Sequence, residues 1–120
     1  MTSSQAERVC TWCLQKPSAT VDNTFGHTVN VYRVAQKIFA MVDLEDGNYV
    51  TLKVLPAEGE ALRAQYGFVR PGYYMNKRRW ITIDLVPEVP MQELRELIDE
   101  SYRLVFESLP RARRAELSRD

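Results

Sequence analysis

Histidine is almost missing from this chain, since His27 is the single one in 120 residues. A Ser-His-Asp or Cys-His arrangement therefore has no other imidazole to draw on, and a histidine just ahead of a strand reads as a surface or hydrogen-bonding residue. Cysteine is scarce too. Cys10 and Cys13 are the only two, and with His27 they fall short of the four ligands of a structural zinc site. No metal and no cofactor are expected. Net charge is lacking as well: sixteen cations balance sixteen anions, so no overall field draws the protein to nucleic acid or membrane. Any such binding must arise from local asymmetry. No apolar run approaches the ~20 residues that span a bilayer. The first residues, Met1 to Gln5, lack the basic start and apolar stretch of a secretory signal. A cytoplasmic protein with reduced thiols, without a membrane partner, is the expectation. A phosphate-cradling glycine-rich loop and a nucleophile elbow are both absent. Asp43, Glu45 and Asp46 cluster near a turn, where carboxylates are ordinarily solvated. No catalytic residue is assigned, and the chain is not expected to be an enzyme.

What is present suits one compact domain. The length supports a single core and is too short for two, and the apolar share of 45% is that of an ordinary globular protein. Ser4 and Glu7 have the spacing of a helix capping box. Ala6, Val9, Cys10, Cys13 and Leu14 then recur as an amphipathic stripe, giving a helix over about residues 4–16, closed by Pro17. Cys10-Thr11-Trp12-Cys13 has the form of a redox motif, but both thiols fall midway along this helix rather than at its N-terminus, where the dipole lowers a thiol pKa. They read as buried packing residues. Residues 18–28 are a polar connection. Val29 to Val34 alternates as a strand, Ile38 to Val42 is a second, and Ala35-Gln36 forms the turn between them. Asp46-Gly47-Asn48 is the next turn, leading into a strand from Tyr49 to Leu55. Pro56 opens a helix that Gly67 ends. Trp80 to Leu85 is a further strand. The last helix carries Leu94, Leu97, Ile98, Tyr102, Val105 and Leu109 on one face, and Pro110 stops it. Residues 1–110 thus read as one domain, and 111–120 as a polar tail that frays. The fold class is α+β: an antiparallel sheet covered on one face by helices, in two layers, ordered α-β-β-β-α-β(-β)-α.

The densest stretch is Pro71-Gly72-Tyr73-Tyr74-Met75-Asn76-Lys77-Arg78-Arg79-Trp80. It resembles the Gly-Tyr-His-Met-Asn-Lys-Arg-His-Trp signature of the MmcQ/YjbR family, and Phe25-Gly26 matches a Phe-Gly of that family. Two departures stand out. Thr24 replaces a proline, and Ala35-Gln36 replaces turn glycines. The resemblance covers about residues 4–110. It implies a fold similar to frataxin-like or secretion-chaperone-like domains, and a bacterial protein that binds DNA.

Charge is distributed unevenly beneath the neutral total. Between Ala61 and Ile83 there is no acid, but five cations occur: Arg63, Arg70, Lys77, Arg78 and Arg79. From Glu88 to Glu107 there are six acids and two arginines. Cations on a short loop can contact successive phosphates while Tyr73, Tyr74 or Trp80 stacks on a base or sugar, although Trp80, at a strand start, reads first as a packing residue. Lys53 sits on its strand opposite Leu52 and Val54. If that pair faces the helices, Lys53 lies on the other sheet face and joins the loop cations. The candidate binding residues are therefore Lys53, Tyr73, Tyr74, Asn76, Lys77, Arg78, Arg79 and Trp80. The leading expectation is contact with the phosphates of double-stranded DNA through Asn76 to Arg79. The rival is a small ligand or protein partner held in a cleft lined by Tyr73, Met75 and Trp80, with Lys77 or Arg78 anchoring an anion. A monomer or weak dimer is expected.

Overall fold

The computed structural model describes residues 4–45, 48–72 and 75–118. Helix α1 (Gln5–Leu14) is followed by β1 (Thr20–Asp22), β2 (Val29–Val34), β3 (Lys37–Asp43), β4 (Tyr49–Lys53), α2 (Pro56–Gln65), β5 (Val69–Pro71), β6 (Trp80–Asp84), α3 (Met91–Glu107) and α4 (Arg111–Leu117). The strands form one sheet in the order β1-β2-β3-β4-β6-β5, with every neighbour antiparallel. The α+β reading and the β2-β3-β4 meander hold.

The period-two alternation decides which side chains meet the helices. Val50 and Leu52 of β4, Ile81 and Ile83 of β6 and Val42 of β3 join Val9 and Cys13 of α1 and Leu94, Ile98 and Val105 of α3 in one buried core. The opposite sheet face is less polar than an alternating strand would suggest. Val31, Met41, Thr51 and Thr82 are buried there, and the hydroxyls of Thr51 and Thr82 bond across β4 and β6 at 2.9 Å.

Helix α1 begins as the capping box requires, with Ser4 Oγ accepting from the amide of Glu7 at 3.0 Å. Cys13 is fully buried in the core, where burial, with Cys10 beside it, pushes its thiol pKa well above the ordinary value. Cys10 is partly buried and its Sγ accepts from Asn30 Nδ2 at 3.6 Å. Both thiols are free and act in packing. Helix α3 is tied to the segment just after α1 by the Lys16–Asp99 ion pair, and Tyr102 donates its hydroxyl to the carbonyl of Pro17 at 2.6 Å. In its middle, Ser101 is fully buried. Its hydroxyl accepts from the Lys53 amide at 2.8 Å and donates to the Phe39 carbonyl at 2.6 Å. Paired residues of β3 and β4 stop at Ala40 and Leu52, beside an irregularity in the β2–β3 register. Ser101 bridges the two strands just beyond that stop.

Three elements differ from the sequence expectation. Thr20–Asp22, within the expected polar connection, is a strand held by pairing with β2 and by an Asp22–Arg33 ion pair of 2.7 Å. Hydrogen bonds from Thr24, with help from Arg33, hold the Asp22 carboxyl down to about 2. Val69–Pro71, inside the expected loop, is an edge strand that tolerates Pro71 because one side of it needs no partner. Arg111–Leu117, expected as a fraying polar tail, is a helix. Pro110 fits its entrance, Leu117 packs on the core, and Arg113 pairs with Glu116 at 2.9 Å.

Ser101→Ala should lower unfolding stability by about 1–3 kcal/mol, since it orphans a buried amide and a buried carbonyl together. Urea titration measures this, and an unchanged midpoint would refute the bridging role. Cys13 should resist an aromatic disulfide reagent in the native protein and react once urea unfolds it. Rapid native labelling of both thiols would contradict the packing assignment.

Candidate functional site

Antiparallel geometry gathers cations from distant parts of the chain. Where β3 starts, β4 ends and β6 starts, and all three points share one end of the sheet. Lys37 opens β3, Lys53 closes β4, and Arg79 immediately precedes β6. The backbone locks the last two together, since the Val54 amide donates to the Arg79 carbonyl at 2.8 Å. Leu52 and Val54 face the helices, so Lys53 lies on the opposite face, as alternation requires. It is half-buried beside Trp80, its ammonium 6.0 Å from the indole ring. Desolvation, and then the charges of Arg79 and Lys37, lower its pKa. The three cations thus press on one another.

The turn from β5 to β6 supplies the rest. Gly72 faces Trp80 across the strand pair, its amide donating to the Trp80 carbonyl at 2.8 Å. A Cβ on Gly72 would lie 2.5 Å from the Trp80 Cβ and 2.9 Å from its backbone, so only glycine fits. Asn76 shapes the turn itself. Its Oδ1 accepts from the Arg78 amide at 2.9 Å, and its carbonyl accepts from the Arg79 amide at 3.1 Å. These bonds leave the side chains of Lys77, Arg78 and Arg79 exposed. Among the described residues, Lys37, Lys53, Lys77, Arg78 and Arg79 enter no ion pair.

The candidate residues separate into distinct roles. Lys53, Lys77, Arg78 and Arg79 form the charged surface, and Asn76 holds its backbone. Trp80 is buried at 8% exposure and packs, with no free ring face to stack on a base. Met75 is half-buried. Tyr73 and Tyr74 lie outside the described residues. Arg70, counted among the middle cations, leaves the group, because Asp84 holds it by two bonds of 3.0 and 2.6 Å.

Two further residues lie near the candidates: Lys37, and Arg63, already counted among the middle cations. Lys37 follows a turn that carries Ala35 and Gln36 at φ 49° and 72°, the paired left-handed geometry of a tight hairpin. That turn was legible in the sequence, but the nearness of Lys37 to Lys53 was not. Arg63, from α2, lines a polar cleft of about 260 Å³ together with Pro56, Glu60 and Arg78. No cluster of three or more side chains suited to a metal ion occurs among the described residues, and no helix among them is long and apolar enough to cross a membrane.

The YjbR family model matches residues 14–104. The chain belongs to the YjbR family. It is 35% identical over 106 residues to the uncharacterized Escherichia coli K12 protein YjbR, covering 86% of this chain and 88% of that one. It is also 31% identical over 97 residues to the uncharacterized protein YbdF of E. coli O157:H7, covering 80% of each. Among solved structures, Deinococcus radiodurans protein DR2400, of the domain family DUF419, superposes with a TM-score of 0.85 at 32% identity, over 92% of this chain and 85% of that one. A Pseudomonas syringae protein at 23% identity shares the fold, with a TM-score of 0.71 over 82% of this chain and 96% of that one. The YjbR match includes the whole charged surface.

Trp80→Ala should cost roughly 3–5 kcal/mol, as expected for emptying a buried aromatic site, and Gly72→Ala should destabilise by forcing β5 and β6 apart. Thermal melts of both variants test this. A Trp80→Ala protein that melts like the parent would show that the indole is not structural.

Proposed function

We propose that this YjbR-family chain is a non-enzymatic binding module that holds duplex DNA by its phosphates. The contact surface is Lys37, Lys53, Lys77, Arg78 and Arg79. The supporting observation is that these five cations converge on one end of the sheet and pair with no acid among the described residues. Most other exposed cations of the fold are spoken for: Arg33, Arg70, Arg103 and Arg113 each hold a carboxylate, and Arg8 and Arg95 lie over the Trp12 ring at 5.2 and 5.5 Å. Mutual repulsion raises the energy of the unliganded cluster, and a phosphate relieves it. Because Lys53 is held below its ordinary pKa, an approaching phosphate raises that pKa. Binding therefore weakens as pH rises through it.

The contacts are to the backbone rather than to base edges, so recognition is of charge and shape. Chain neutrality and the small number of cations give a modest affinity that falls steeply with salt. The burial of Trp80 disfavours an apolar stacking cleft. It leaves the cationic end as the place where a ligand gains most.

Titration of a labelled duplex at several salt concentrations tests the proposal. Lys53→Ala, Lys77→Ala and Arg78→Ala should each weaken binding to every sequence about equally and flatten the salt dependence by about one unit of slope. Melting of the Lys77 and Arg78 variants should barely move, because exposed cations contribute little to stability. A parent protein that binds no duplex at low salt ends this reading.

A further inference from the structure

The cleft between α2 and the β5–β6 turn has a different composition from the sheet-end surface. Two arginines and one glutamate face a space of about 260 Å³, with Pro56 as its remaining wall. Arg63 is unusual within it. A Cβ on the buried Gly59 would lie 3.4 Å from Arg63 Nη1 and 2.8 Å from Val54 Cγ2. The missing side chain thus lets Val54 press against α2 and lets the Arg63 guanidinium lie back along the helix. Its Nη1 is shielded from solvent without a hydrogen-bond partner. Neither Arg63 nor Arg78 forms an ion pair with Glu60 or any other described acid. Two unpaired guanidinium groups are therefore brought to one cleft from separate elements, and a carboxylate beside them is left free.

We propose that this cleft binds the phosphate monoester of a small sugar. Guanidinium forks match a tetrahedral oxyanion better than a point charge does, and two of them can share its oxygens. Glu60 has a separate role. A carboxylate repels a bare phosphate but accepts hydrogen bonds from hydroxyl groups, so it favours a ligand that carries hydroxyls next to its phosphate. The cleft is small and open to solvent, about 260 Å³, near the lower end of ordinary ligand sites, and a phosphorylated sugar is of that order. The site shares Arg78 with the DNA surface and is otherwise independent of it. Arg63 and Glu60 belong to the cleft alone.

Calorimetric titration of the full chain with ribose 5-phosphate, ribose and inorganic phosphate tests the assignment. Ribose 5-phosphate should bind and ribose should not. Arg63→Gln and Arg78→Gln should each weaken ribose 5-phosphate by about tenfold or more, the loss expected for a hydrogen bond to a charged group. Glu60→Gln should narrow its advantage over inorganic phosphate. Arg63→Gln should leave duplex binding unchanged, which separates this site from the sheet-end surface whether or not DNA binds there. Should Arg63→Gln melt early, Arg78→Gln, on an exposed turn, reads the same cleft in an intact fold. No heat with ribose 5-phosphate at millimolar concentration overturns the proposal. So does equal affinity in the parent and the Arg78 variant. Equal binding of inorganic phosphate and ribose 5-phosphate overturns the sugar specificity.

Discussion

A single hydroxyl closes the junction on which the sheet and its helical layer both depend. Where the β3–β4 ladder stops, the Lys53 amide and the Phe39 carbonyl would face a dry core unpaired, at the cost that orphaned backbone groups carry. Ser101 serves both from the middle of α3. Its position fixes where α3 sits against the sheet. It also fixes where β4 ends, and therefore where Lys53 is presented. The charged end of the molecule and a buried contact of α3 meet at Lys53, through its side chain and its amide.

Much of this architecture was legible from local pattern. Alternation placed Lys53 opposite Leu52 and Val54, and the α3 stripe of Leu94, Ile98 and Val105 predicted its buried face correctly. The Ser4 cap and Pro56 entrance also stand where the sequence puts them. What escaped was short and held by partners distant in sequence. Thr20–Asp22 has one apolar residue and becomes a strand because β2 and Arg33 are there to meet it. Val69–Pro71 ends in a residue that argues against strand structure until its edge position is known. Arg111–Leu117 looks like a charged tail, and only Leu117 reaches the core.

The candidate site shows the same division. Lys77, Arg78 and Arg79 could be read from one run of sequence, but Lys37 joins them only through the pairing of β3 with β4. Trp80, whose place at a strand start favours packing over stacking, is buried as that place suggests. With no side chain at Gly72, the two backbones close up at Trp80, and the Lys53 ammonium lies 6.0 Å from the indole ring. Arg70 looked available in a stretch without acids, yet Asp84 lies just beyond that stretch and claims it.

The two outer strands, β1 and β5, have three residues each. A neighbouring molecule seeking to extend the sheet would find only a few free amides and carbonyls at either border, one of them interrupted by Pro71. The longer strands lie inside the sheet, each with a neighbour on both sides. The fold therefore exposes a charged end while withholding the backbone template on which chains stack into fibrils. Crowding this protein should produce salt-sensitive contacts between its basic end and the acid-rich α3, which dilution reverses, rather than continuous β-assembly.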